Sequence, residues 1–205
     1  MLYIRILCVL LLAVFTVHTA YSRTRYRMII PCRGELHPIR PAIMYYNSET
    51  PGGDSSYLHA IKAAIEKEPK EPLFYYALGV IYFNNRQFAE SVAAFEEAGE
   101  KGYKRDADYY LHIGTACLQS KQYNKGIHHL NHCLNLRAND TVALQTLAQA
   151  CYQNEDYKQA IIYWEQLLRI QPQNAFAMFM LGKSYIAHGE KQKGEQYCDL
   201  ATANL

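Results

Sequence analysis

The chain has 205 residues, of which 50% are hydrophobic, and its formal net charge is +2. This composition can build a compact domain and excludes a disordered chain, which would be poorer in apolar residues and richer in charge. The near-neutral charge also argues against a nucleic-acid partner, because such proteins usually carry a strongly basic patch.

The first 22 residues differ from the rest of the sequence. Arg5 precedes the apolar run ILCVLLLAVFTVHTA, and the stretch AYS at 20–22 offers the small residues of a cleavage site. This pattern predicts a signal peptide cleaved near Ser22 and an exported protein, periplasmic or extracellular. Three arginines between 23 and 27 give the opposite indication, because positive charge after the run favours a membrane anchor at residues 4–20 with the domain in the cytoplasm. Both alternatives remain open.

Two segments separate this region from the periodic part of the chain. Residues 23–53 contain four prolines and five arginines without a sustained period, and we interpret them as an N-terminal arm. Residues 54–69 predict a helix that begins at the N-cap Asp54 and ends at Pro69. The apolar residues of this helix share one face: Tyr57, Ile61, Ala64 and Ile65.

Small residues recur along the remainder of the chain at a nearly constant spacing. Gly79, Gly114, Ala148 and Gly182 are 35, 34 and 34 residues apart, and similar sequences surround them. A second small register follows each of them: Ser91, Gly126, Ala160 and Gly194. The pattern predicts pairs of helices, joined by short polar turns, that cross closely where their side chains are small. This close approach explains glycine inside a helix, where it costs roughly 1 kcal/mol relative to alanine.

These registers resemble the tetratricopeptide repeat. The resemblance also rests on the aromatic residue that opens the second helix, on the bulky Phe95 and Trp164, and on Pro172 at a junction. It implies an all-α fold, a right-handed superhelical stack of antiparallel helix pairs. The implied domain covers 54–205, with a leading half-repeat at 54–69 and repeats at about 72–106, 107–140, 141–174 and 175–205. Departures from the family pattern are Tyr103 and Ala138 in place of the junction proline, Ala148 in place of glycine, and Lys191 in place of the aromatic residue.

Stacked helix pairs of this kind line a concave surface with their first helices. Helical spacing predicts which side chains point into this groove, and their mixture of amides and rings suits a peptide backbone with apolar side chains. The predicted groove residues are Tyr76, Val80, Phe83, Asn84, Leu111, Thr115, Gln119, Gln145, Gln149, Tyr152, Phe179 and Lys183. The lysine–asparagine clamp with which some family members hold a C-terminal carboxylate is missing, because Tyr76 and Val80 occupy its first positions.

A histidine cluster offers an alternative function. His128 and His132 are four residues apart on one helix face, a spacing at which two imidazoles can chelate a transition metal. Together with the thiols this suggests a metal-binding or redox-responsive envelope protein. The competing interpretation is that the histidines are solvated and that most cysteines are small buried hydrophobic residues.

The sequence therefore predicts a non-enzymatic module that binds other proteins or peptide segments, without a cofactor. No phosphate-binding loop of the G-x-x-x-x-G-K type and no G-x-S-x-G nucleophile motif is present. Two further expectations concern partners: membrane attachment through the N-terminus, and self-association through the C-terminal helix, where Tyr197 and Leu200 are expected at the surface.

Overall fold

A computed structural model describes the backbone of residues 53–203 and side chains from residue 57 onward. The predicted signal peptide and anchor, and residues 23–52 of the predicted arm, lie outside these residues. Gly53 already belongs to the first described helix, so the predicted N-cap Asp54 lies inside this helix. The described part consists of nine α-helices and contains no strand: α1 (Gly53–Lys67), α2 (Pro72–Asn84), α3 (Phe88–Glu100), α4 (Ala107–Gln119), α5 (Tyr123–Leu136), α6 (Thr141–Gln153), α7 (Tyr157–Ile170), α8 (Ala175–His188) and α9 (Lys191–Ala203). Helices adjacent in sequence pack against each other, and α2/α3, α4/α5, α6/α7 and α8/α9 form the most extensive pairs. The predicted all-α solenoid of helix pairs is confirmed.

Each first helix of a pair begins at a side-chain cap. Asp106, Asp140 and Asn174 each accept a hydrogen bond from the backbone N–H three residues later, at 3.1, 2.9 and 2.9 Å. Glu71 caps α2 by accepting from the N–H of Leu73. A side-chain acceptor satisfies one of the N–H groups that a helix leaves unpaired at its start. The four caps are 35, 34 and 34 residues apart, so they share the period of the glycines.

The turns within the pairs also repeat one geometry. The residue immediately before each second helix donates its backbone N–H to the carbonyl oxygen of Tyr82, Cys117, Cys151 or Tyr185, with lengths of 2.8–2.9 Å. The preceding position adopts a left-handed conformation in every case: Arg86, Lys121, Glu155 and Gly189. This is the Schellman arrangement, in which glycine is the usual residue because it has no Cβ. Three of the four turns therefore hold a non-glycine residue at a position that favours glycine.

The helix pairs close at the predicted small residues. The hydroxyl of Ser91 donates to the carbonyl oxygen of Gly79 over 2.8 Å, across α2 and α3. In the third pair Ala148 and Ala160 are both fully buried. A Cβ atom built on Gly79 would lie 2.7 Å from the ring of Phe95, so alanine does not fit there without movement.

The core continues through the stack as overlapping apolar clusters. Phe74, Tyr76 and Phe95 fill the first part, and Leu130 and Leu147 the middle. Trp164 is fully buried in the last part, where its ring meets Phe176 edge to face. Within the described residues no helix has the length and apolar character needed to cross a membrane.

Candidate functional site

The predicted groove residues divide into a buried group and an accessible group along the stack. Residues from α2 are the most buried, and residues from α8 are the most exposed. The accessible ones are Asn84, Leu111, Gln119, Gln145, Gln149, Tyr152, Phe179 and Lys183, of which Gln119, Phe179 and Lys183 are exposed and the others half-buried. The surface open to a ligand therefore lies mainly toward the C-terminal half of the described domain.

The predicted exposure of Tyr76 and Val80 is wrong, because both are 0% exposed. Tyr103, from the turn between α3 and α4, stacks on Tyr76 with the ring centroids 4.2 Å apart. The hydroxyl oxygen of Tyr76 lies 2.5 Å from Nδ1 of His112. Burial raises the pKa of Tyr76 and lowers the pKa of His112 to about 4, so both partners of this hydrogen bond are neutral at pH 7. Tyr76 is thus a core residue held by a neutral hydrogen-bonded pair.

Three other predicted groove residues near α2 and α4 are also largely enclosed. Phe83 is buried against Phe88 of the next helix, with the two rings edge to face at 5.4 Å. Thr115 is buried, and its hydroxyl donates to the carbonyl oxygen of Leu111 over 2.7 Å. Asn84 is half-buried, and its amide nitrogen has no hydrogen-bond partner among the described residues. Phe83 and Thr115 accordingly belong to the helix packing.

The accessible residues of α6 and α8 form one candidate surface, which we call the α6–α8 face. It comprises Gln145, Gln149 and Tyr152 from α6 and Phe179 and Lys183 from α8. A side chain of α8 reaches α6 there, since the ammonium group of Lys183 lies 6.0 Å from the ring centroid of Tyr152 and 5.9 Å from that of Phe179 on its own helix. An ammonium group at this distance from an aromatic ring is attracted by its π electrons. The structure therefore brings these three predicted residues together.

Sequence reasoning missed two apolar members of the α6–α8 face. Val142 lies three residues before Gln145, and Ile186 lies three residues after Lys183, so each continues the stripe of its helix. Their exposed fractions are 42% and 41%, close to the 43% of Phe179. The signal that could have identified them was the helical spacing, which is i, i+3, i+7, i+10 along α6 and i, i+4, i+7 along α8.

The predicted metal ligands lie at a cavity on other helices. His128 and His132 face each other on α5 with ring centroids 4.7 Å apart, and Tyr110 of α4 stacks on His132. The cavity, of about 360 Å³, is also lined by Glu96, Lys125 and His129. Burial is the main cause that lowers the pKa of His129 to about 4. Among the described residues no three His, Cys, Asp or Glu side chains are grouped to hold a metal ion, and metal binding by the pair stays a prediction.

The described cysteines are free thiols, and most of them belong to the core. Cys117, Cys133 and Cys151 are buried, as predicted, and Cys198 is half-buried. Burial raises the pKa of Cys117 and Cys151 to about 11 and that of Cys133 to about 12. Since the thiolate is the reactive form, these environments suppress thiol chemistry at neutral pH.

The C-terminal helix α9 exposes part of its predicted surface. Leu200 is exposed, whereas Tyr197 is half-buried and stacks on Tyr185 with the ring centroids 5.7 Å apart. At positions where α7 carries Ile161 and Leu168, α9 carries the exposed polar residues Glu195 and Thr202. Self-association through this helix stays a prediction.

The fold and the turn geometry define a helical repeat protein, and sequence comparison identifies the repeat. YpiA-like tetratricopeptide repeats match residues 58–103, and tetratricopeptide repeats match residues 107–140 and 142–174. The chain therefore carries tetratricopeptide repeats, as its registers predicted. No curated protein matches the sequence.

Solved structures of similar fold include other proteins of this repeat class. A crystal structure of MamA has a TM-score of 0.69 at 18% identity, covering 75% of this chain and 89% of that chain. MamA from Desulfovibrio magneticus RS-1 has a TM-score of 0.68 at 16% identity and covers 75% and 86%. YrrB, described as a TPR protein with an unusual peptide-binding site, has a TM-score of 0.67 at 20% identity and covers 74% and 77%. At these identities the likeness shows the fold.

Proposed function

We propose that the protein is a non-enzymatic binding module whose α6–α8 face docks a peptide segment of a partner protein. The observation that carries this proposal is the side-by-side arrangement of two exposed stripes on neighbouring helices. Val142, Phe179 and Ile186 are three of the seven large apolar side chains that are exposed among the described residues. Apolar side chains gathered on one face, with polar groups among them, are typical of interaction surfaces.

The chemistry of the face suits an extended peptide. The rings of Tyr152 and Phe179 offer apolar contact area with few side-chain torsions to immobilise on binding. The amides of Gln145 and Gln149 lie between the apolar positions and can exchange hydrogen bonds with a peptide backbone. The resemblance in fold to YrrB, which is described as having a peptide-binding site, supports the same kind of function here.

A display experiment tests the proposal. Immobilised protein is used to select from a random 12-residue peptide library, and the enriched peptides are then measured against the double variant Tyr152→Ala, Phe179→Ala. We expect a loss of affinity of at least about tenfold, which corresponds to roughly 1.4 kcal/mol. The matched control removes the exposed Ile162 and Ile170 of α7 and should leave affinity unchanged. Equal loss in both double variants, or failure to enrich any peptide, would contradict the proposal.

We further propose that the module acts in the cell envelope after export. The support is the apolar run with small residues at 20–22, weighed against the anchor alternative at residues 4–20. N-terminal sequencing of the protein purified from its native cells distinguishes the two. A mature terminus near Arg23 supports export, and an intact terminus in the membrane fraction supports the anchor. An intact terminus on soluble protein would contradict both.

A further inference from the structure

The α6–α8 face carries one formal positive charge and no negative charge. The 13 residues of α6 contain no Asp, Glu, Lys or Arg, and the 14 residues of α8 contain only Lys183. The only histidine on the two helices is His188, at the end of α8. A peptide that crosses this face therefore meets one fixed charge in an otherwise neutral, partly apolar surface.

The charge of Lys183 is not compensated by an acidic neighbour. No carboxylate oxygen of residues 57–203 lies within 4.0 Å of its ammonium group, whereas Lys101 and Lys125 each pair with a glutamate. The ammonium group of Lys183 lies 6.0 and 5.9 Å from the centroids of two aromatic rings, and its charge also acts on the thiol of Cys198 in α9. Such rings attract an exposed ammonium group but do not neutralise it. Lys183 is thus oriented over the face and available to an anion.

Apolar side chains lie on both sides of this lysine along α8. Phe179 precedes it by four residues and Ile186 follows it by three, so each lies about one helical turn away. Both are exposed. A peptide that contacts both of them continues past Lys183 in both directions. This arrangement favours an acidic side chain within a segment over a carboxylate at the end of one.

We propose that the α6–α8 face selects peptide segments in which an internal Asp or Glu lies beside apolar or aromatic residues. The carboxylate would bind the ammonium group of Lys183, and the neighbouring side chains would pack on Phe179 and Ile186. A charge-assisted hydrogen bond at such a site contributes more than a neutral one, and complementary charge gives specificity. This inference names the ligand chemistry of the proposed peptide site and rests on that proposed function.

A positional-scanning library of peptides with acetylated and amidated ends tests the selectivity without terminal charges. We expect Asp and Glu to be enriched about tenfold over Asn and Gln at one internal position, next to an apolar position. The enrichment should disappear with Lys183→Gln, reverse toward Lys and Arg with Lys183→Glu, and persist with Lys158→Gln, an exposed lysine on α7. Because Lys183 is exposed, all variants should keep the melting temperature of the parent protein.

Each other result overturns the inference in a distinguishable way. Enriched peptides without an acidic position would overturn it and leave the proposed peptide binding intact. Acidic preference that survives Lys183→Gln would place the determinant elsewhere. A parallel library with free C-termini that outcompetes the amidated one would show that a terminal carboxylate is the ligand. If no peptide is enriched in any arm, both this inference and the proposed function fail.

Discussion

The backbones of Gly182 and Gly194 meet across α8 and α9. A Cβ atom built on Gly182 would lie 2.6 Å from the carbonyl oxygen of Gly194, and one built on Gly194 would lie 2.5 Å from the carbonyl oxygen of Gly182. Gly114 and Gly126 approach similarly in the second pair, where the corresponding distances are 3.2 and 3.0 Å. The helix pairs therefore depend on backbone-to-backbone contact at these positions, and this contact places each first helix relative to the next.

The glycine contact predicts the cost of a side chain at this position. Gly182→Leu should lower the free energy of unfolding by about 3 kcal/mol or more, because the new atoms meet backbone that cannot move independently. Urea denaturation followed by circular dichroism measures this. The matched control is Ala187→Leu on the exposed side of the same helix, which should change stability little. Equal stability of the two variants would show that α8 and α9 are not packed at the glycines.

The left-handed turn positions predict a stabilising substitution. Glu155 has a φ of 62°, and glycine adopts this conformation without the Cβ strain of roughly 1–2 kcal/mol. Since glycine also loses more entropy on folding, Glu155→Gly should stabilise by a net 0.5–1 kcal/mol, roughly. The reciprocal change, Gly189→Ala at φ 101°, should destabilise although no atom lies within 4 Å of the new Cβ. A melting temperature that falls with Glu155→Gly or rises with Gly189→Ala would contradict the turn geometry.

The half-buried His112 predicts that the protein loses stability in acid. Its pKa is lowered by burial to about 4 in the folded protein, against an ordinary value near 6.5. Below pH 6.5 protons therefore bind the unfolded chain preferentially, so the contribution to stability is full above 6.5 and declines as the pH falls toward 4. The expected loss is roughly 3 kcal/mol. The free energy of unfolding at pH 7.5, 6 and 4.5 should decline less for His112→Asn, which keeps a neutral hydrogen-bonding side chain beside Tyr76, than for His188→Asn. If the free energy of unfolding declined equally with pH in the two variants, the proposed contribution of His112 would be refuted.

Removing the buried N-cap Asp140 should lower the free energy of unfolding more than removing an exposed N-cap. Its carboxylate is buried, accepts from the N–H of Ala143, and accepts from Nε of Arg137 over 2.7 Å. Asp140→Ala removes the cap and leaves Arg137 with one carboxylate partner instead of two, so about 2 kcal/mol should be lost. Asp140→Asn retains a capping oxygen and should cost less. Asp156→Ala at the exposed cap of α7 should lower the free energy of unfolding by only about 0.5–1 kcal/mol. If chemical denaturation showed no greater loss for Asp140→Ala than for Asp156→Ala, the proposed role of burial would be disproved.

The raised thiol pKa values predict slow alkylation. At pH 7.5 iodoacetamide should modify Cys198 before Cys117, Cys133 and Cys151, because Cys198 is half-buried and the others are enclosed with a pKa of about 11–12. Peptide mapping by mass spectrometry after timed quenching resolves each site. In 6 M guanidinium the rates should converge. Rapid native modification of Cys133 would be inconsistent with its burial.

The sequence allowed the helix pairs to be predicted because their determinants are local and periodic. Gly114 and Gly182 recur at nearly fixed spacing, and the close contacts they make are the ones that glycine permits. The left-handed turns were not predicted, since Arg86, Lys121 and Glu155 lack the glycine that signals such a conformation. The repeated caps went unnoticed because their residue types differ between units.

The candidate site was predicted only in part, because the exposure of a side chain depends on residues that are distant in the sequence. The repeat spacing gives Tyr76 and Phe179 equivalent positions in their helices. Tyr103 covers the ring of Tyr76, however, whereas the ring of Phe179 remains exposed. A residue in a junction thus decides whether a position in the preceding helix reaches solvent. The same spacing did identify Tyr152, Phe179 and Lys183, which the structure brings together.

Amide chemical-shift mapping tests the central claim, that the α6–α8 face binds a peptide, most directly. Isotopically labelled protein is titrated with a peptide enriched in the display experiment, and the shifts are followed residue by residue. We expect the largest changes between Thr141 and Gln153 and between Ala175 and His188. Shifts confined to α5 and α7, or binding that leaves α6 and α8 unchanged, would contradict the account.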